Sequence, residues 1–267
     1  MALNLGNVLA AEDLASPNTL VIRHAYVVAH ADGTSGIHAD STDDEILEYT
    51  SAQDVGRFPK TPADHWLVFL PESGSRARFW AVIRNHGEVS NNGTIRTFHL
   101  ERTDLLREYV GRLVIGWAAP LAWYVHGATA STYPVHELAD ATAPRFPGFE
   151  NLELDYPVLQ AVIRDRRYEA WRSALASVAG IYVITDLRDG RNYVGKADGA
   201  ENVLQRWSAY ASNGHGGNVE LQGLDPTSFR FSLLRVFDPT TPQPVINRAE
   251  SHYKRALDSV RHGLNGG

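Results

Sequence analysis

Hydrophobic positions in the first half of this chain come in short runs rich in β-branched and aromatic residues, broken by turn residues. Residues 19–29, 66–70, 77–84, 93–101 and 112–117 read as strands, with turns at 71–74 and 91–93. Residues 7–14 and 103–109 have the length and spacing of short helices, and the acidic stretch 43–49 has no clear period. Residues 128–157 carry four prolines and many Ser, Thr and Ala, and read as a connection with little regular structure. Apolar residues at 158, 159, 162, 163, 171 and 175 then predict an amphipathic helix. After it the pattern predicts a strand over 181–187, a return strand around Tyr193, a helix over 199–211, a strand over 229–237 and a helix over 245–260.

These elements predict an α+β protein. A β-rich domain over 1–127, a barrel or curved sheet, leads through a connection and linker helix (128–177) to a small three-stranded antiparallel sheet flanked by helices (178–267). A length of 267 residues suits two ordinary domains. With no cysteine there is neither disulfide nor thiolate chemistry, which fits a reducing cytoplasm. The first residues carry no basic flank of a signal peptide, and the longest apolar run, 113–125, is too short to span a bilayer. The expectation is a cytoplasmic protein with no membrane partner.

The net charge of −6 is unevenly spread. Residues 1–54 sum to −8, 55–169 to zero and 170–267 to +2. A surface that meets the dense charge of a duplex should be locally basic, so the last third is the better candidate and the first fifty residues should face away.

Chemistry-bearing residues also concentrate in that third. Gly180-Ile181-Tyr182 opens one strand, Asp189-Gly190 marks a hairpin turn, and Tyr193-Val194-Gly195 lies on the return strand. A two-residue turn would set Asp186 opposite Tyr193, and strand alternation would then put Tyr182 and Tyr193 on one face. Arg206 and Tyr210 are four apart on a predicted helix and so are neighbours. Glu250 borders the apolar stripe of the last helix, and Asn265 follows fifteen residues later.

This constellation resembles the GIY-YIG nuclease superfamily over about residues 178–265. The two triplets stand with ten residues between them, YVG replaces YIG, and the R-x-x-x-Y helix and the late Glu and Asn fall at matching positions. The resemblance implies metal-dependent hydrolysis of DNA. Glu250 would hold Mg²⁺, with Mn²⁺ as a substitute. Arg206 would brace the phosphate, Tyr193 would act as general base, and Tyr182 and Tyr210 would assist by hydrogen bonds. Asn265 would orient Glu250 or a terminus near it. A free phenol titrates near roughly 10 and is a poor base at neutral pH unless cations favour its ionised form. Arg206, Lys196 and the metal are the candidates. Lys196, His215 and Asn218 are the expected DNA contacts, the last two on a glycine-rich segment able to offer backbone N–H groups to phosphate.

The expected activity is a restriction-like endonuclease, with the N-terminal domain directing it, modified DNA being one such target. With one active site per chain, a double-strand break would favour a homodimer or two sequential nicks. The rivals are a structure-specific repair or recombination nuclease, and a catalytically weak module that binds nucleic acid or protein. In the N-terminal domain, Phe79, Trp80, Phe98, Trp117, Trp123 and Tyr124 allow a base-stacking pocket, against the commoner core role of strand aromatics. Arginines at 76, 78, 84, 96, 102, 107 and 112 allow a DNA-facing surface, against scattered solvated charge. For Glu250 the plain alternative is an i,i+4 ion pair with Lys254.

Overall fold

Side-chain alternation organises the larger sheet. On neighbouring strands, Val21, Leu67, Phe69, Phe79 and Val82 enter one apolar cluster, while Leu20, Ile22, Trp66, Val68 and Ile83 enter another. The sheet is therefore buried on both faces, which explains its continuous apolar runs. A bulge opposite Val68–Phe69 lets both Trp80 and Ala81 turn toward the second cluster. The computed structural model describes residues 3–27, 36–72, 74–117, 122–198 and 202–266, and divides into two units, 1–142 and 143–267.

In the first unit α1 (Leu5–Leu9) precedes β1 (Thr19–Arg23), followed by α2 (Asp43–Ser51), β2 (Ala52–Asp54), β3 (His65–Pro71), β4 (Arg76–Asn91), β5 (Ile95–Arg102), β6 (Leu113–Gly116), β7 (Tyr124–His126), α3 (Gly127–Ala130) and β8 (Val135–Leu138). The strand order is β2-β5-β4-β3-β1-β7, and β6 links β4 to β8. The long β4 bonds β6 with its first residues and β5 with its last, both on the flank away from β3.

The second unit contains β9 (Glu153–Asp155), α4 (Tyr156–Arg164), α5 (Glu169–Ala176), β10 (Ala179–Asp186), β11 (Asn192–Ala197), α6 (Val203–Asn213), β12 (Phe229–Phe237) and α7 (Gln243–Ala256). Its antiparallel sheet runs β11-β10-β12-β9. One face, carrying Tyr182, Ile184, Phe229 and Phe231, packs on α4, α5 and α6 through Leu159, Leu175 and Trp207. The other, carrying Ile181 and Val194, packs on Ile246 and Ala249 of α7.

The architecture is mixed α+β, and several expectations need correcting. The connection over 128–177 is absorbed into the two units: β8 pairs with β6 in the first, and β9 pairs with β12 as a fourth strand in the second. The expected helix over 158–175 is two helices. Asp165 leaves helical geometry at φ −88, ψ 120, and buried Arg172 donates to the carbonyls of Val162 and Asp165 at 2.7 and 2.6 Å. Arg-Asp-Arg-Arg holds no Gly or Pro, and its one local signal is Asp165, whose side chain caps the next turn by accepting from Arg167 N–H at 3.0 Å. Residues 43–51 are helical because Thr42 and Glu45 form a capping box, a signal legible in the sequence. The strand expected over 19–29 ends at Arg23, with residues 28–29 outside the described residues, as are 199–201 of the helix expected over 199–211.

The strand aromatics take the commoner core role: Phe79, Trp80, Phe98 and Trp117 are buried, Trp123 and Tyr124 are half-buried against the core, and Trp80 donates its indole N–H to Asp43 at 2.8 Å. Five of the seven arginines are committed within the unit. Arg76 and Arg78 pair with Glu72, Arg96 with Glu88 and Arg102 with Asp43, while Arg112 donates to the carbonyl of Ala139. They do not form a free basic surface.

Because the two units have separate cores, a cavity in one should loosen that unit first. Phe231 is fully buried among Trp207 and Tyr210. Phe231→Ala should cost about 3–5 kcal/mol. Hydrogen exchange should quicken across β10 and β12 while the amides of β3 keep their wild-type protection.

Candidate active site

The hairpin loop is longer than the two residues expected. Asp186 and Arg191 close it through a backbone hydrogen bond of 2.9 Å, Gly190 adopts φ +76, and Asp186 accepts from the Arg188 backbone N–H at 3.1 Å. Tyr193 therefore pairs with Ile184 rather than Asp186. The register has moved by two residues, an even number, so Tyr182 and Tyr193 still share a face. Tyr182 pairs with Gly195, where a Cβ would stand 2.4 Å from the phenol oxygen. The glycine is thus required for the Tyr182 ring to lie across β11.

Helix α6 delivers two more groups to that face. An Asn202–Gln205 capping box starts it, and Gly214 at φ +82 ends it, its N–H bonding the Tyr210 carbonyl at 2.7 Å. Tyr182 and Tyr210 hydroxyls meet at 2.9 Å, and Arg206 Nε donates to Tyr182 at 3.2 Å. The Arg206 guanidinium lies 5.3 Å from the centre of the Tyr210 ring. The loop after α6 then folds back over Tyr210. A Cβ on Gly216 would come within 2.7 Å of that ring, and Asn213 Oδ1 accepts from the N–H groups of His215 and Gly216. This brings the Asn218 carboxamide between two phenols. Tyr193 donates to Asn218 Oδ1 at 3.0 Å, and Nδ2 faces the Tyr210 hydroxyl at 2.5 Å. Five side chains, Arg206, Tyr182, Tyr210, Asn218 and Tyr193, form one continuous polar chain inside an apolar cluster.

Burial dominates their ionisation. It pushes Tyr182 up to about 12 against the opposing charge of Arg206. Tyr210 and Tyr193 are also raised, by burial first and by a neighbouring phenol second. The charge of Arg206 alone does not outweigh burial at any of the three phenols. Arg206 pulls Tyr193 down but is outweighed, and Glu250 adds to the rise. Burial works against the Arg206 charge as well, yet the phenol oxygens, Tyr182 first, hold it above its ordinary value. Beyond its bond to Tyr182 and its place over Tyr210, Arg206 has no protein partner among the described residues. Among the described residues no carboxylate balances the half-buried positive charge of its terminal nitrogens.

The remaining expected residues lie around this chain. Lys196 is on the α7 face of β11, bonded to Asp198 at 2.9 Å and to Asn247, so its ammonium does not reach the phenols. Glu250, on α7, pairs with Lys254 at 2.8 Å through Oε1, while Oε2 stands 4.0 Å from Lys196, outside hydrogen-bond reach. The i,i+4 ion pair is thus present, and one carboxylate oxygen stays open. Among the described residues no three His, Asp or Glu side chains converge as a metal cage. A single hard oxygen ligand fits Mg²⁺, which keeps most of its waters, and does not fit zinc.

Asn265 has a different role from the one expected. Its Oδ1 accepts from Val194 N–H at 2.8 Å and from the Ser259 hydroxyl at 2.6 Å, and its Nδ2 donates to the Val194 carbonyl at 2.9 Å. It does not orient Glu250. It clamps the outer edge of β11 between Tyr193 and Gly195. His215 is tied into its own loop, its Nδ1 accepting from Gly217 N–H at 3.1 Å. Asn218 was expected as a DNA contact, but its amide is occupied by phenols. No family model, curated protein or solved structure matches the chain.

Asn265→Ala would strip partners from both polar groups of Val194 and from Ser259, at a cost of about 1–3 kcal/mol for each group left buried and unpaired. The check is denaturant unfolding together with hydrogen exchange: the Val194 amide should exchange faster while Val183, its neighbour on the inner strand, changes less.

Proposed function

We propose that residues 143–267 form a metal-dependent DNA endonuclease domain of the GIY-YIG type, and that residues 1–142 direct it to its substrate. The observation that carries this reading is Arg206. A half-buried guanidinium that is anchored through Nε and lacks a carboxylate partner among the described residues calls for an anion. Beside it stand phenols able to handle a proton. The antiparallel order β11-β10-β12 with α6 and α7 on opposite faces is also consistent with the small flanked sheet that the resemblance implies.

The chemistry follows from what these residues offer. Arg206 braces a non-bridging phosphate oxygen through its terminal nitrogens. Tyr193 accepts a hydrogen bond or proton from a water directed at the phosphorus. That water oxygen forms the new P–O bond as the bond to the leaving sugar oxygen breaks. Glu250 is the residue that would hold a divalent cation, which when bound supplies Lewis-acid charge to the phosphate and the leaving oxygen. A restriction-like enzyme acting on modified or unmodified duplex, with dimer formation for double-strand cleavage, is the fullest form of the proposal.

The decisive experiment incubates purified protein with Mg²⁺ or Mn²⁺ and a panel of plain, modified, flapped and bubbled DNA. Glu250→Ala should lower cleavage by about 10²-fold or more while the thermal melt stays in place. Cleavage at the wild-type rate by that variant, or none by the wild type on any substrate, would sink the proposal. The pH dependence has a definite sign. Tyr193 is held above the ordinary phenol value, so at neutral pH the ionised fraction is small and grows tenfold per pH unit. With saturating metal, the rate of the chemical step should therefore climb steadily from pH 6 to pH 9 without levelling, about tenfold per unit. A plateau near neutrality would show that another group is the base.

A further inference from the structure

Tyr182 and Tyr210 are both fully buried and each carries one hydroxyl proton. Tyr182 accepts from Arg206 Nε, and Asn218 Nδ2 faces Tyr210. Read in this sense, only one of the two hydroxyl protons is used in the contact between them, and the other has no acceptor inside the core. The carboxamide of Asn218 has a second sense, related by a half-turn about its Cβ–Cγ bond, which exchanges oxygen and nitrogen. The count of donors and acceptors discriminates between them, because only the second sense gives both buried hydroxyl protons an acceptor.

We infer that Asn218 is a positioning residue that closes a one-way hydrogen-bond relay from Arg206 to Tyr193 and leaves Tyr193 as the one phenol in the chain with a proton to spare. In that sense Arg206 Nε–H donates to Tyr182, Tyr182 to Tyr210, Tyr210 to Asn218 Oδ1, and Asn218 Nδ2–H to the Tyr193 oxygen. Every buried proton then has an acceptor. The surplus proton moves from the closed core to Tyr193, which is only half-buried. There it is free to point at an incoming water or phosphate. The Tyr193 oxygen meanwhile receives a hydrogen bond that favours its ionised form. Each link polarises the next, so the guanidinium is felt at Tyr193 through three intermediates. Gly216, whose missing Cβ lets the loop lie against Tyr210, is what allows Asn218 to reach this place.

This inference rests on the proposed nuclease reading for its meaning, but the direction of the relay is testable without DNA. In protein labelled at the Asn side-chain amide and the Tyr rings, the Nδ2 protons of Asn218 should show nuclear Overhauser contacts to the ring of Tyr193. Contacts to Tyr210 in their place overturn the inference, whatever the enzyme cuts. Kinetics give the second arm. Asn218→Asp keeps the acceptor for Tyr210 but replaces the donor to Tyr193 with a second acceptor, so it should lower kcat by about 10²-fold with KM for DNA within about twofold. Asn218→Ala removes both links without capturing the Tyr193 proton and should fall between Asp and wild type. Equal losses in the two variants, or a loss confined to KM, would show that Asn218 merely shapes its loop. A wild type that cuts nothing, with the amide contacts at Tyr193, would sink the nuclease reading and leave the relay standing.

Discussion

The second unit is arranged around the passage of the Tyr182 ring across the bare backbone of Gly195. The contact fixes three things together. It requires that β10 and β11 pair in one register, since a slip by one residue would point Tyr182 at α7. It requires the absence of a Cβ at 195, where any side chain would overlap the phenol. And it aims the hydroxyl at the meeting point of Arg206 and Tyr210 on α6. The polar chain exists because a phenol is long enough to carry an oxygen out of the sheet and through the apolar layer to the helix above.

Placing a polar chain in that layer has consequences for charge. Three phenols at low dielectric resist ionisation, so all are raised, Tyr182 to about 12. Arg206 cannot lose its charge, and among the described residues the oxygen it bonds is a neutral phenol and not a carboxylate. A structural arginine in a core has its counter-charge or its carbonyls built in, as Arg172 has with Val162 and Asp165, and Arg167 with the Asp165 carboxylate. Among the described residues Arg206 differs from both, and the proposal that it receives an anion rests on that difference.

Much of this arrangement was legible in the sequence, because it rests on local rules. The parity of Tyr182 and Tyr193 and the four-residue spacing of Arg206 and Tyr210 do not depend on detail: the hairpin loop is two residues longer than an Asp-Gly turn, and parity does not sense an even shift. What was not legible depends on contacts between distant segments. Asn218 reaches the phenols through a loop whose course is set by φ values of +82 and +55 at Gly214 and Gly216. Asn265 bonds a strand seventy-one positions away. The split of one expected helix into α4 and α5 depends on a buried arginine ten residues beyond the carbonyl it binds. The arginine-rich stretch looked like a surface for phosphate because the carboxylates that neutralise it come partly from elsewhere, Asp43 and Glu137 among them.

The position of Glu250 raises the sharpest question of geometry, and the edge strand answers it. Glu250 is on α7, against the face of the sheet opposite Tyr182 and Tyr210, yet its charge acts on Tyr193. Two faces of a sheet communicate most directly at an edge, and β11 is an edge strand. Tyr193 lies on one face and Lys196, close to Glu250, on the other. A centre shared between both faces needs that edge held in place, because a free edge strand frays and exposes unpaired backbone groups. Leu264 and Asn265 supply the missing neighbour, bonding Asn192 and Val194 as a further strand would. The segment after α7 therefore belongs to the site's mechanics although it brings no group to the reaction: it makes rigid the one strand on which the two halves of the proposed chemistry meet.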